Sequence, residues 1–236
     1  DGRAYPITQF RLIYFRENDG HPDLESLRQL PVRLLETDAG FVAPRQGHAG
    51  SAVPIADLAS ESPRTFYASA VQRILERLRD ELTRRHIVGV YVAPDPQQIN
   101  EQGEDLRPGD MNELRLIITT GVVTQIRTLA HGDRIPENER VNHALHQRLI
   151  EEAPLAVEPD PETGRDRNLI RKDLLDDYVL MLSRHPGRRV DVALAPSPQL
   201  GGVALDLLVT EVKPWLVYAQ VSNTGTRNTD RLREQF

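Results

Sequence analysis

Two histidines, His143 and His146, stand three residues apart in a stretch whose pattern predicts a helix, so both rings would share one face and could hold a metal ion. The chemistry would be Lewis-acid hydrolysis. No third ligand accompanies them, however, and the HExxH spacing of zinc hydrolases is absent, so a solvated helix face accounts for the pair. Asp160, Glu162 and Asp166 surround Gly164 in the loose manner of a calcium loop. Their spacing misses the EF-hand pattern and the closing glutamate is lacking, which leaves a charged surface turn. Asp176 and Asp177 fall on the polar side of an apolar stripe, where carboxylates face water. The chain has no cysteine, which excludes thiol catalysis, a thiolate metal site and a disulfide framework. Neither GxSxG, a P-loop nor GxGxxG occurs, and Gly201-Gly202 belongs to a turn rather than a phosphate cradle. The expectation is a protein without catalytic residues, metal or cofactor.

Composition narrows the partners. The 236 residues carry 29 Lys and Arg against 35 Asp and Glu, a net charge of −6, which argues against a nucleic-acid partner. Hydrophobic content of 39% and aromatic content of 5% suffice for compact cores. No run approaches the roughly 18 uninterrupted apolar residues that a spanning helix needs. The chain opens on Asp1 with polar, strand-like sequence rather than a leader, and so reads as a processed or trimmed piece.

Hydrophobic spacing then places the elements. Residues 5–15 alternate as a first strand, with Phe10, Leu12 and Tyr14 on one face, and Asn18-Asp19-Gly20 turns. Asp23 caps a short helix from Leu24 to Leu30, and Val32 to Thr37 reads as a further strand. The Gly- and Pro-rich piece 38–62 reads as an ordered insertion or a long loop. Ser62-Pro63 signals a helix start. Tyr67, Val71, Ile74, Leu75, Leu78 and Leu82 then trace one helical stripe to about Arg85. Val88, Val90 and Val92 alternate as a strand ended by Pro94, and Leu114, Leu116 and Ile118 alternate in the next. From Gly121 the order repeats: a strand over 122–129, and a helix over 139–151 capped by Asn138 and carrying Val141, Leu145 and Leu149. A second helix follows over 171–184, with its stripe at Ile170, Leu174, Tyr178 and Leu182, and then strands over 189–195 and 203–211. Strand, helix, helix, strand, strand thus occurs twice. Each unit would lay two helices on one face of a small three-stranded sheet, an α+β arrangement.

The stretch from His185 onward is the most characteristic. Pro186-Gly187 precedes the strand at Val190, Val192 and Leu194, followed by a turn through Pro196, Pro198, Gly201 and Gly202. A strand through Val203, Leu205, Leu207 and Val209 comes next, then Lys213-Pro214-Trp215, an extended segment to Val221, and Ser222-Asn223-Thr224-Gly225-Thr226. This order resembles the last POTRA domain of the two-partner-secretion transporters, the haemolysin secretion/activation-like TpsB branch of the BamA/TpsB superfamily, where it runs into the first barrel strand. The resemblance is best over 168–229 and weakens toward the N-terminus. The βααββ order of POTRA domains agrees with the repeat. The resemblance implies a first POTRA-like domain over 1–120 with an insertion at about 31–62, a second over 121–212, and the start of a truncated C-terminal β-barrel over 213–236. Trp215 would either pack in a core or sit in a membrane-interface aromatic girdle. One strand cannot close a barrel, so the fragment would be the part outside the membrane plus a stub.

The implied role is a region on the periplasmic face of the outer membrane that captures an exported polypeptide and passes it to the barrel. The alternative is the same region of an outer-membrane assembly factor, and a metal enzyme using His143 and His146 comes behind both. Partners would be a secreted or outer-membrane polypeptide, the barrel and, through it, the outer membrane. A sheet edge suits such capture, because unpaired N–H and C=O groups can add an extended segment with little regard to its sequence. Family precedent puts that edge on the strand after the second helix. Carried over, it falls on Val88, Val90 and Val92 in the first unit and on Arg189, Val190, Asp191, Val192, Ala193 and Leu194 in the second.

Overall fold

Alternation of apolar and polar residues in β2 (Gln9–Tyr14), which follows the short β1 (Ala4–Ile7), buries Phe10 and Leu12 on one side. The computed structural model describes residues 2–45, 50–132, 134–185 and 187–212, with the backbone of 220–222 and 233–235. After β2 come α1 (Leu24–Arg28), β3 (Pro31–Thr37), β4 (Gly40–Val42), β5 (Ser51–Pro54), a 3-10 turn, β6 (Arg64–Tyr67) and α2 (Ala68–Arg84). β7 (Tyr91–Pro94) and β8 (Glu113–Thr119) complete the first unit. β8 lies between the other two strands, parallel to β2 and antiparallel to β7. Its residues Leu114, Leu116 and Ile118 are buried under the helices, whereas Ile117 and Thr119 face the other way.

The second unit repeats this topology. It consists of β9 (Val122–His131), α3 (Gln147–Glu151), α4 (Lys172–Ser183), β10 (Arg188–Pro196) and β11 (Gly202–Glu211). β11 is central, parallel to β9 and antiparallel to β10, with a register irregularity at Val203/Ala204. Leu149, Tyr178, Leu182, Val190, Leu207 and Val209 form its core. A two-stranded pairing of β12 (Gln220–Ser222) with β13 (Arg233–Gln235) lies beyond. The fold is α+β with βααββ order twice. Trp215, most of the extended segment from 215 to 221 and Asn223-Thr224-Gly225 lie outside the described residues.

Several expectations need correction. Of the two readings of 38–62, only the long loop fails: the piece is ordered, and β1, β6, β4, β3 and β5 form a five-stranded sheet in that order, packed into one core with α2. Residues 64–67, after Ser62-Pro63, are strand rather than helix, because β1 offers a full antiparallel register from Ala4↔Tyr67 to Ile7↔Arg64. Phe66, 0% exposed, then meets Phe10 edge-on at 5.1 Å and stacks on Phe41 at 4.8 Å. α2 begins only at Ala68, whose N–H bonds the carbonyl of Arg3, just before β1, at 3.0 Å and so finds there the partner a capping hydroxyl would have supplied. The buried stripe of Val71, Ile74, Leu75, Leu78 and Leu82 stands as expected.

The helix over 139–151 shrinks to α3. Asn142 adopts φ +50, and residues 140–142 run along β9 instead: Ala130 N–H bonds Arg140 O at 2.8 Å, and Asn142 N–H bonds Thr128 O at 2.9 Å. Pairing along an otherwise open strand edge outweighs local helix propensity here, and it leaves Val141 and Leu145 exposed. On α4 the inward residue is Leu175, with Leu174 partly exposed, because Ile170 is not helical and the helix starts at Lys172.

The strand expected over Val88, Val90 and Val92 is displaced to Tyr91–Pro94, so only Val92 lies within it. Val88 spends its main chain on the second unit, its N–H on Ile170 O and its carbonyl on Gly121 N–H, both at 3.0 Å. Gly89, at φ +71, passes so close that a Cβ there would stand 2.9 Å from Gly121 Cα. These bonds, with Lys172 N–H to His86 O, lace the two units together.

Candidate functional site

Antiparallel pairing divides each edge strand's polar groups in two: alternate residues bond inward to the neighbour, and the rest point outward. On β10, Ser197 N–H bonds Gly202 O and Val212 N–H bonds Gly187 O, in register with Arg188↔Glu211 through Pro196↔Val203. Odd-numbered residues therefore face β11 and even-numbered ones face outward. Of the six edge residues expected from the sequence, Arg189, Asp191 and Ala193 turn their main chain into the sheet. Val190 faces out but is already occupied: its N–H bonds Ser183 Oγ at 3.2 Å, and the same hydroxyl donates back to its carbonyl at 3.5 Å. Val192 and Leu194 remain, both N–H groups without a partner among the described residues, and Pro196 contributes a carbonyl but no donor.

The same reasoning applies to β7. Asp95 N–H bonds Arg115 O at 2.9 Å, so Tyr91 and Ala93 face β8, while Val92 and Pro94 face outward. Among the described residues no strand pairs with the outer edge of β7, which thus offers one N–H, from Val92, and two carbonyls. A groove of about 250 Å³ runs between this edge and α2, walled by Gln72, Leu75, Glu76 and Arg79. Tyr91, Ala93, Pro94 and Ser183 were not among the expected site residues. The Gly89-Val90-Tyr91 run before Pro94 is the signal that could have shifted the strand. Nothing in the sequence marks Ser183.

Charge near the β10 edge is tightly compensated. Glu211, at the end of β11, accepts from Arg188 Nε and Arg134 Nη1, each at 2.7 Å, and lies 3.7 Å from His146 Nε2. Burial alone would raise the Glu211 pKa, but the hydrogen bond and charge of Arg188, with the charge of Arg134, leave it lowered. His146 is 1% exposed, and burial lowers its pKa against the pull of Glu211. Arg127 grips Asp206 through two bonds of 2.7 and 2.8 Å across β9 and β11.

The candidate metal residues serve other ends. His143 Nδ1 accepts from Leu145 N–H, and its ring stands edge-on to His146 at 6.1 Å. Among the described residues no group of three or more His, Asp or Glu is arranged to hold a metal ion. Asp160 Oδ1 accepts from the N–H groups of Glu162 and Thr163, closing a surface turn. Asp176 pairs with Lys172 on the exposed side of α4.

No family model matches the chain. Its sequence is 29% identical over 157 residues to hemolysin transporter protein ShlB of Serratia marcescens, covering 66% of this chain and 23% of ShlB. Its structure matches CdiB from Escherichia coli with a TM-score of 0.53 at 12% identity, over 98% of this chain and 32% of that one. CdiB from Acinetobacter baumannii matches at 0.45 and 13%, over 90% and 31%. The chain therefore spans about a quarter of ShlB and a third of the Escherichia coli CdiB chain. The sequence similarity to ShlB and the fold shared with Escherichia coli CdiB support a POTRA region of the kind found in the TpsB/BamA superfamily, and such regions lie on the periplasmic face of the outer membrane.

Proposed function

We propose that this chain is the polypeptide-receiving region of an outer-membrane transporter of the two-partner-secretion branch. In this reading an exported protein, still extended, adds a strand to the open edge of β10, and a second segment adds to β7. The client then moves to a C-terminal β-barrel that begins with residues 213–236. Domain limits of 1–120 and 121–212 go with this reading. Binding needs no cofactor and no covalent step, since backbone pairing and apolar burial supply the free energy. The observation that carries the proposal is the pattern of open donors on β10: Val192 and Leu194 face outward with no partner among the described residues, while the flanking Val190 is closed by Ser183. The name of ShlB, a hemolysin transporter, supports secretion as the role.

Proline substitution separates the two sides of β10. Val192→Pro removes an outward N–H that the native sheet does not use, so the fold should survive and affinity should fall by at least about fivefold, the worth of one hydrogen bond. Ala193→Pro removes an inward N–H and should unfold the unit instead. The check is fluorescence polarisation with a labelled synthetic peptide of about ten residues, the length of a strand, alongside circular dichroism. Equal affinity in Val192→Pro and the native chain would remove β10 as the receiving edge.

A further inference from the structure

The turn from Asn18 to His21, between β2 and α1, is where the first unit grips the connector ahead of α4. Asn18 Nδ2 bonds Asn168 Oδ1 at 2.7 Å, and the Asp166 N–H bonds Asp19 Oδ2 at 3.1 Å. A Cβ on Gly20 would stand 3.0 Å from the side chain of Leu169, which is buried in the first unit's core. His21 fastens this turn to its own unit. Its ring lies flat on Tyr14, with 4.0 Å between centroids and 13° between planes, and its Nε2 is 2.8 Å from Thr120 Oγ1. Thr120 is the buried residue before Gly121, and the β10–β11 hairpin leans on it from the other side: a Cβ on Gly201 would stand 3.2 Å from its carbonyl oxygen.

The second ring nitrogen, Nδ1, is buried and has no partner among the described residues. The neutral ring settles with the single bond to Thr120, since a hydroxyl can donate or accept. Protonation puts a hydrogen on both nitrogens, and the new Nδ1–H then lacks an acceptor while carrying part of a charge, the costlier kind of unmet bond. Burial accordingly lowers the His21 pKa, against the pull of Asp166 across the joint. Acceptors lie close by in the first unit. Glu17, Asp19 and Asp23 line a polar pocket of about 450 Å³ that His21 borders, with Asp166 at its far wall. On the other side Arg85, His86 and Arg171 line a pocket of about 360 Å³ and repel a cationic ring.

We propose that His21 is an acid-released latch on the joint between the two units. Once protonated, its ring leaves Tyr14 and Thr120 for the carboxylates of its own unit, and the turn lets go of residues 166–169. The sign follows from the burial. The closed joint resists a proton that the released ring accepts, so the latch contributes in full above about pH 6.5 and gives way as pH falls below that value. The two sheets are thus held in fixed relation at neutral pH and freed in acid, whatever their edge strands bind.

Amide hydrogen exchange on the intact 236-residue chain reads the joint. Val88, Gly121 and Lys172 donate across it, to Ile170, Val88 and His86, and Asp166 donates to Asp19. His21→Gln keeps a polar partner for Thr120 but does not titrate. Comparing native and variant chains at the same pH cancels the intrinsic effect of acid on exchange. Between about pH 7.5 and about pH 5.5 the native-to-variant rate ratio at these amides should rise several-fold, with a ceiling of about tenfold for one group one unit below its ordinary pKa. Amides in the centre of β8 and β11 should keep a constant ratio. Asp166→Asn leaves His21 in place and removes the charge that opposes release, so it should enlarge the rise at Val88 and Lys172. A ratio independent of pH overturns the latch. A falling ratio overturns it too, since a His21–Asp166 ion pair would then be closing the joint in acid. A rise confined to the Asp166 amide also overturns it, because the turn would be moving while the joint stays shut.

Discussion

Glu211 is 4% exposed, yet it is ionised among Arg188, Arg134 and His146, so its removal strands charges rather than merely deleting a contact. Glu211→Gln should cost about 3 kcal/mol in urea unfolding, the lower end for a broken buried pair, because both arginines keep some solvent. His146 supplies the pH dependence. Burial holds its pKa below 6.5, so the unfolded chain takes up a proton that the folded chain resists. That contribution is complete above about pH 6.5 and is lost as pH falls through that value toward the lower folded pKa. Glu211, Arg188, Arg134 and His143 are the charged and titratable groups that face the ring. His21, also lowered by burial, acts in the same direction from between the units, where its Nε2 lies 2.8 Å from Thr120 Oγ1. Unfolding free energies of native and His146→Leu chains between about pH 8 and pH 5.5 should therefore fall less steeply in the variant. Identical slopes would deny His146 this role.

Among the elements, β6 shows most clearly how pairing overrides a local signal. Ser62-Pro63 has every mark of a helix start, and the apolar stripe that follows is a true helix. Yet the partner strand β1, more than fifty residues back in the chain, claims residues 64–67. Phe66→Ala should cost about 3–5 kcal/mol, as for a fully buried aromatic between two others, measured by thermal or urea unfolding. A cost below about 1 kcal/mol would mean that the β1–β6 pairing contributes little. β10 was legible because Val190, Val192 and Leu194 alternate and a turn follows. β7 was not. Val88, Val90 and Val92 alternate just as well, but the positive φ of Gly89 and the bonds of Val88 to Ile170 and Gly121 draw the first part of that run into the seam. Ser183 could not be read at all, since its bond to Val190 depends on where α4 docks against β10.

At the scale of the whole molecule, the seam around Gly121 couples the units. Backbone bonds run from Val88 to Ile170, from Gly121 to Val88 and from Lys172 to His86, and Asn18 reaches Asn168 at 2.7 Å. Gly89→Ala places a methyl against Gly121 in a conformation that alanine resists. Amide hydrogen exchange at Val88, Gly121 and Ile170 should accelerate by about tenfold or more, while amides in the centre of β8 and β11 keep their rates. Uniform acceleration would mean that the seam is no separate opening unit.

Composition and periodicity by themselves determined that this chain is α+β, that strand, helix, helix, strand, strand occurs twice, and that a strand runs through Val190, Val192 and Leu194, whereas its place at a sheet edge was implied by the family resemblance alone. The first three are local properties, carried by which residues share a face at period 2 or 3.6. Only the tertiary structure decided that residues 31–67 add strands to a sheet with β1, that the first edge strand is Tyr91–Pro94, and which of the edge N–H groups are open. Each of those depends on a partner distant in the chain, and a hydrogen bond or a buried face has no signature at one end until the other arrives.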